Sequence, residues 1–128
     1  MMQLDTDLVP VLQACARGTL NSTSLPQRAG FSVGIVLAAE GYPDAPRTGD
    51  AIAVPASLPP DTQLFHAGTR RVGGQVTTSG GRVLTACAYA ATLAEARAKA
   101  TALAESIGWR GRHFRRDIAA GAPAQDRP

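Results

Sequence analysis

Long hydrophobic runs are missing from this chain. Nowhere in its 128 residues do about 18 apolar residues follow one another, so it carries no segment of the membrane-spanning kind. The first residues, Met1-Met2-Gln3-Leu4-Asp5, have neither a basic region nor a long apolar stretch and do not make a signal peptide. Cysteine is nearly absent. Cys15 and Cys87 stand far apart in apolar surroundings, outside any CxxC or Cys/His cluster. They read as buried free thiols of a reducing, cytoplasmic compartment. Aromatic residues are few, with three Phe, two Tyr and one Trp, and alanine supplies much of the 45% apolar content. A core built this way is thin, and the sequence predicts that it leans on a partner domain. Acidic residues are sparse as well. Asp5 and Asp7 border a predicted helix, Glu95 and Glu105 lie on another, and Glu40, Asp44, Asp50 and Asp61 are scattered in loops. No carboxylate pair has metal-site spacing, so no metal ligand is assigned. The net charge of +3 comes largely from Arg110, Arg112, Arg115 and Arg116. Asp117 interrupts that cluster, and no recognition helix or aromatic platform accompanies it, which argues against nucleic acid as a partner.

What is present suits one domain. Residues 7–17 read as a helix with Leu8, Val11, Leu12 and Cys15 on one face, Asp5 or Thr6 as N-cap and Gly18 as the stop. Residues 20–30 form a polar linker. Phe31 to Ala39 is an almost continuous apolar run with β-branched residues, the pattern of a buried strand. Gly41-Tyr42-Pro43 then breaks regular structure. Residues 52–54 and 63–67 are short strand candidates, and Gly73-Gly74 joins 70–72 to 75–78 as a hairpin. Residues 82–89 make the next strand. Residues 92–107 make the best-defined helix, with a Thr92/Glu95 capping box, an apolar stripe of Leu93, Ala96, Ala100, Leu103 and Ile107, a Glu95–Lys99 pair, and Gly108 as its end. The order predicts an α+β fold, a mainly antiparallel sheet with the long helix packed on one face. Beyond Ile118 the composition is that of a disordered tail.

The most informative stretch is Thr78-Ser79-Gly80-Gly81-Arg82-Val83-Leu84. Two glycines let backbone amides approach an anion and adopt positive φ, and arginine adds a forked, permanently charged donor set. Ser-Gly-Gly is equally ordinary turn chemistry. Both readings stand on the pattern alone.

Five stretches occur in a fixed order: Gly41-Tyr42-Pro43, Phe65-His66-Ala67-Gly68-Thr69, the Thr78–Leu84 segment, Thr92-Leu93-Ala94-Glu95-Ala96 and Phe114-Arg115-Arg116-Asp117-Ile118. Together they resemble the C-terminal portion of phosphoribosylamine–glycine ligase (glycinamide ribonucleotide synthetase), an ATP-grasp enzyme of purine synthesis. The resemblance covers roughly residues 2–119. It departs at Pro46, Glu40 and Phe114, where the family more often has an aromatic residue, a basic residue and a tyrosine.

The resemblance implies three segments: residues 1–20 as a short helix closing the ATP-grasp domain, 21–119 as the ligase C-terminal domain, and 120–128 as a tail. It implies an enzyme in which ATP, with Mg2+, phosphorylates the glycine carboxylate and the amine of phosphoribosylamine attacks the acyl phosphate. The products are glycinamide ribonucleotide, ADP and phosphate. The lid and metal ligands of that chemistry belong to ATP-grasp and N-terminal domains that this chain lacks. The chain alone is therefore expected to bind neither ATP nor Mg2+ and to be inactive, with no catalytic residue of its own. On the substrate side, the resemblance assigns the ribose 5-phosphate to Arg82, with Gly80 and Gly81 offering amides. His66, Thr69 and Tyr42 are possible substrate contacts, and His66 has no partner carboxylate evident in sequence. Three readings follow: a fragment or split subunit of the ligase, which the motif series favours; a free-standing, non-catalytic sugar-phosphate binding module; or an interaction remnant that exposes an apolar face.

Overall fold

The computed structural model of the chain describes residues 2–21 and 25–121. The first element, α1 (Leu8–Arg17), starts where the Asp7 carboxylate accepts from the Val9 amide at 2.9 Å. Asp7 is thus the cap, in place of the predicted Asp5 or Thr6, because it stands two residues before the orphan amide it satisfies. Gly18 stops the helix in the left-handed region at φ 66°. The predicted apolar face exists, but the described residues cover it only in part: Leu8 and Val11 are half-buried. No residue of α1 is buried, Leu12 is 56% exposed, and Cys15 is exposed. The expectation of a buried Cys15 is corrected on that point: helical spacing creates a stripe, and only a neighbouring element can bury it. The segment before α1 is tied to the body by Asp5 and Arg28 amides, which donate to Pro26 and Gln3.

The body is an antiparallel sheet under one helix, as the sequence predicts. Strands β1 (Phe31–Ala38), β2 (Thr62–His66) and β5 (Arg82–Ala90) make a three-stranded sheet in the order β1-β5-β2. Between them in sequence, β3 (Thr69–Val72) and β4 (Gln75–Thr78) form a separate hairpin. Gly73 and Gly74 turn it with φ of 54° and 83°, the two positive values that a tight turn of matching twist requires. The expected strand at 52–54 is reduced to bridges, Ala51 to Thr77 and Ala53 to Gly108.

Helix α2 (Leu93–Ser106) lies on one face of the sheet. Thr92 caps it, its hydroxyl accepting from the Glu95 amide at 3.2 Å. Ala96, Ala100, Leu103 and Ala104 are buried against Val33, Ile35 and Leu37 of β1 and Leu84, Ala86 and Ala88 of β5, which form one core with them. Small alanines let helix and sheet approach closely, and five larger side chains, Ile35, Leu37, Leu84, Leu103 and Ile107, fill what remains. Two details differ from expectation. Lys99 reaches Asp61 at 3.3 Å, across to the β2 side. The helix ends at Ile107 in extended conformation rather than at Gly108, because Gly108 pairs with Ala53 and needs a strand-like backbone before it. Ala120 donates to Asp117 in a final turn, and the rest of the expected tail, 122–128, lies outside the described residues. No helix among the described residues is long and apolar enough to cross a membrane.

Candidate functional site

The face of the sheet opposite α2 is open, and the site lies there. Strict alternation along β5 would put Arg82 on the same side as Leu84 and Ala86, under the helix. A β-bulge prevents this. Leu37 pairs with Leu84 while the next residue, Ala38, pairs with Arg82, so Val83 is the extra residue. Val83 and Leu84 are both fully buried, and Arg82 is turned out to the open side with Thr85. Beyond the bulge, the Ala39 amide donates to Gly81 O and the Gly68 amide to Arg82 O, both at 2.9 Å, which hold the motif between β1 and β2.

Arg82, Gly81, Tyr42, Ala67, Val36 and Thr85 enclose a pocket of about 500 Å³. Arg82 belongs to none of the ion pairs among the described residues. Neither the Gly80 nor the Gly81 amide donates to a backbone carbonyl there. A permanent cation lining a pocket next to a glycine pair whose amides are not taken up by backbone carbonyls among the described residues is a combination suited to an anion.

The glycines themselves do something other than expected. Neither Gly80 nor Gly81 has positive φ. Their lack of a side chain permits close approach instead. The Tyr42 ring lies directly against Gly81, where a Cβ would overlap it, and Gly80 Cα packs against Gly68. At Gly68 a Cβ would sit 2.7 Å from Arg82 O and 2.9 Å from Gly80 Cα, both backbone atoms. Gly68→Ala is therefore expected to cost about 1–3 kcal/mol in urea unfolding. Gly81→Ala is expected to cost less, because the half-exposed Tyr42 ring can swing aside. Equal stability of Gly68→Ala and the parent chain would remove this contact from the argument.

Thr78, just before the motif, is the anchor that sequence reading passed over. It is 2% exposed, its hydroxyl accepts from the Asp50 amide at 3.1 Å, and its own amide donates to Asp50 O at 2.9 Å. Gly49 donates to Thr78 O at 2.7 Å. Arg47 pairs with Asp50 at 3.1 Å and Glu40 at 3.8 Å. The loop that carries Tyr42 is thus clipped to the strand end that leads into Gly80, Gly81 and Arg82. No spacing rule signals such a clip, since Asp50 and Thr78 are 28 residues apart.

His66 and Thr69 are placed apart from this pocket and pair with each other, Nδ1 to Oγ1 at 3.0 Å. His66 stands opposite Leu84, so alternation puts it on the α2 side, while Phe65 and Ala67 share the Arg82 side. No carboxylate partner for His66 is found among the described residues. Three arginines of the basic C-terminal cluster, Arg112, Arg115 and Arg116, are internally engaged. Arg116 pairs with Glu105, and Arg112 and Arg116 lie over the Phe114 ring at 5.1 and 5.2 Å. Arg115 pairs with Asp117, its hydrogen bonds holding that carboxyl below the usual range and raising the guanidinium's own pKa; both groups are fully exposed.

The described carboxylates do not converge into a magnesium site. Asp50 and Glu40 are taken by Arg47, Asp61 by Lys99, Glu105 by Arg116, Asp117 by Arg115 and Asp7 by a helix amide. No group of three or more possible ligands converges among the described residues.

The structure defines an α+β domain with an open pocket beside a Gly-Gly-Arg strand entry. Residues 32–121 match the family described as phosphoribosylglycinamide synthetase, C domain, and the chain belongs to that family. It is 47% identical over 121 residues to the phosphoribosylamine–glycine ligase of Caulobacter vibrioides, covering 92% of this chain and 28% of the relative. The ligase of Vibrio cholerae is 42% identical over 127 residues, covering 98% of this chain and 30% of the relative. The crystal structure of the Thermotoga maritima ligase superposes with a TM-score of 0.70 at 40% identity, over 84% of this chain and 26% of that one. The chain thus spans about three-tenths of the length of the curated relatives it matches.

Proposed function

We propose that this chain is the substrate-side C-terminal domain of an ATP-dependent ligase that joins phosphoribosylamine and glycine in purine biosynthesis, in the cytoplasm. Arg82 holds the ribose 5-phosphate, with the Gly80 and Gly81 amides as further donors. Tyr42 walls the pocket, while His66 and Thr69 approach substrate from the strand edge. The observation that carries this reading is Arg82, without an ion-pair partner among the described residues and turned by the bulge into an open pocket beside Gly81. Identity to ligases along nearly the whole chain supports the rest.

ATP and Mg2+ belong to the complete enzyme, where the metal would supply neutralisation of phosphate charge. Since the described carboxylates do not converge into a site for that ion, no step of phosphoryl transfer is placed on this chain. Residues 1–20 end the ATP-grasp domain, and 21–119 form the domain that docks beside it. The isolated chain is accordingly inactive. With ATP, glycine, Mg2+ and phosphoribosylamine supplied, it is expected to release no ADP above background in a coupled assay. Sustained, glycine-dependent ADP release would overturn the assignment.

A second reading is a free-standing, non-catalytic sugar-phosphate binder. One observation favours it: the loop that carries Tyr42 is held beside Gly81 by hydrogen bonds from within this chain, between Asp50 and Thr78. It requires a stable monomer by gel filtration, whereas an interaction remnant with its α1 stripe and sheet face uncovered would associate.

A further inference from the structure

Among the described residues Thr78 is the one buried polar side chain, at 2% exposure. Valine has the same shape and no hydroxyl to desolvate, so packing alone does not account for a threonine here. Its bond does. The Asp50 amide donates to the Thr78 hydroxyl at 3.1 Å, beside two backbone bonds that also join residues 49 and 50 to Thr78. These bonds close the far end of the loop 39–50. Its near end is closed on itself, the Ala45 amide donating to Gly41 O and the Arg47 amide to Glu40 O, both at 2.8 Å. The Arg47 side chain spans the two ends, reaching Asp50 at 3.1 Å and Glu40 at 3.8 Å. A shift at Asp50 is therefore carried to Glu40, two residues before Tyr42.

We infer that Thr78 is a positioning residue for the sugar phosphate: its hydroxyl holds the Tyr42 loop against the Gly80-Gly81-Arg82 entry and so fixes the wall that faces Arg82. The inference rests on the phosphate reading of Arg82 and adds the residue that sets the shape of its pocket. Thr78 is not among the residues that line the pocket, so it acts through Tyr42 and not on the ligand. It stands two residues before Gly80 and four before Arg82 in the chain. From the other side, the Tyr42 ring packs so closely on Gly81 that an added Cβ would fall 2.2 Å from Tyr42 Cδ2. Tyr42 and Arg82 line the same pocket. The Thr78 bond thus ties together the two segments that supply the wall and the cation. A wall already in place does not have to be ordered when the ligand arrives, which is how preorganisation raises affinity.

The test is titration calorimetry with ribose 5-phosphate on the parent chain and on Thr78→Val, Thr78→Ala, Thr78→Ser and Arg82→Ala, with urea unfolding of each. Thr78→Val keeps the shape and removes the acceptor. It is expected to weaken binding about tenfold, the equivalent of one neutral hydrogen bond. Thr78→Ala, which loses hydroxyl and methyl together, weakens it as much. Thr78→Ser loses only the buried methyl, so it lowers stability yet binds as the parent does. Affinity therefore follows the hydroxyl and not stability, a split that a merely structural threonine does not produce. In a Tyr42→Ala background the further change Thr78→Val has no effect on affinity, because the wall it positions is gone. Parent-like binding by Thr78→Val and Thr78→Ala, or affinity that falls with stability in Thr78→Ser, would overturn the inference while dependence on Arg82 keeps the phosphate assignment. So would a tenfold loss that persists without the Tyr42 ring. No binding by the parent chain, or binding indifferent to Arg82→Ala, would overturn both.

Discussion

Replacing Arg82 by alanine weakens binding of ribose 5-phosphate compounds by about 10- to 150-fold. Hydrogen bonds to a charged group contribute about 1.5–3 kcal/mol, and each 1.4 kcal/mol is tenfold in affinity. The full effect is expected because Arg82 has no ion-pair partner among the described residues that would take up or replace its charge. Stability changes little, since the side chain is exposed and the backbone bond from Gly68 to Arg82 O persists in the variant. Arg82→Lys falls between the two, keeping a point charge but losing the fork that grips two phosphate oxygens. In a complete ligase carrying this domain, the same change raises KM for phosphoribosylamine. Titration of the isolated chain and steady-state kinetics of the complete enzyme check the two halves of the prediction. An unchanged affinity together with an unchanged KM would remove Arg82 from the site.

Leu103→Ala is expected to destabilise the domain by about 2–5 kcal/mol, the range for emptying a buried leucine position, and to lower Tm by about 10 °C or more. Net stability of a domain is only about 5–15 kcal/mol, so this one change removes a large share of it. The composition makes the effect severe. Helix α2 meets the sheet mainly through Ala96, Ala100 and Ala104, and Leu103 and Ile107 are the large side chains that fill the layer from its side. An alanine at 103 leaves no flexible neighbour on the helix to collapse into the gap. Leu12→Ala in α1 serves as the contrast. Leu12 is 56% exposed, and its loss is expected to stay within about 0.5 kcal/mol. Urea unfolding of both variants measures the difference. Similar losses at the two positions would mean that the α1 face is covered in solution, by another copy or by residues outside those described.

The sequence by itself determined the element order, the antiparallel sheet and the packed face of α2. Those depend on local rules: the apolar run at 31–39, the Gly73-Gly74 turn, the Thr92 cap and the alanine stripe each act over a few residues. It also singled out Gly80, Gly81 and Arg82, because a glycine pair beside an arginine is a local pattern. Whether α1 is buried was beyond it, since a stripe at helical spacing does not state what covers it. Tertiary structure alone decided the role of the glycines, which serve contacts with Tyr42 and Gly68, residues 39 and 12 positions away in the chain for Gly81 and Gly80. It alone parted His66 and Thr69 from the pocket and brought in Thr85, Val36 and Ala67. Above all it decided which way Arg82 points. Period-two alternation sends Arg82 beneath the helix with Leu84. One extra residue, Val83, opposite the Leu37–Ala38 step reverses that direction. A bulge arises from the register between two strands that are nearly fifty residues apart, so it is a property of their pairing and of neither strand alone.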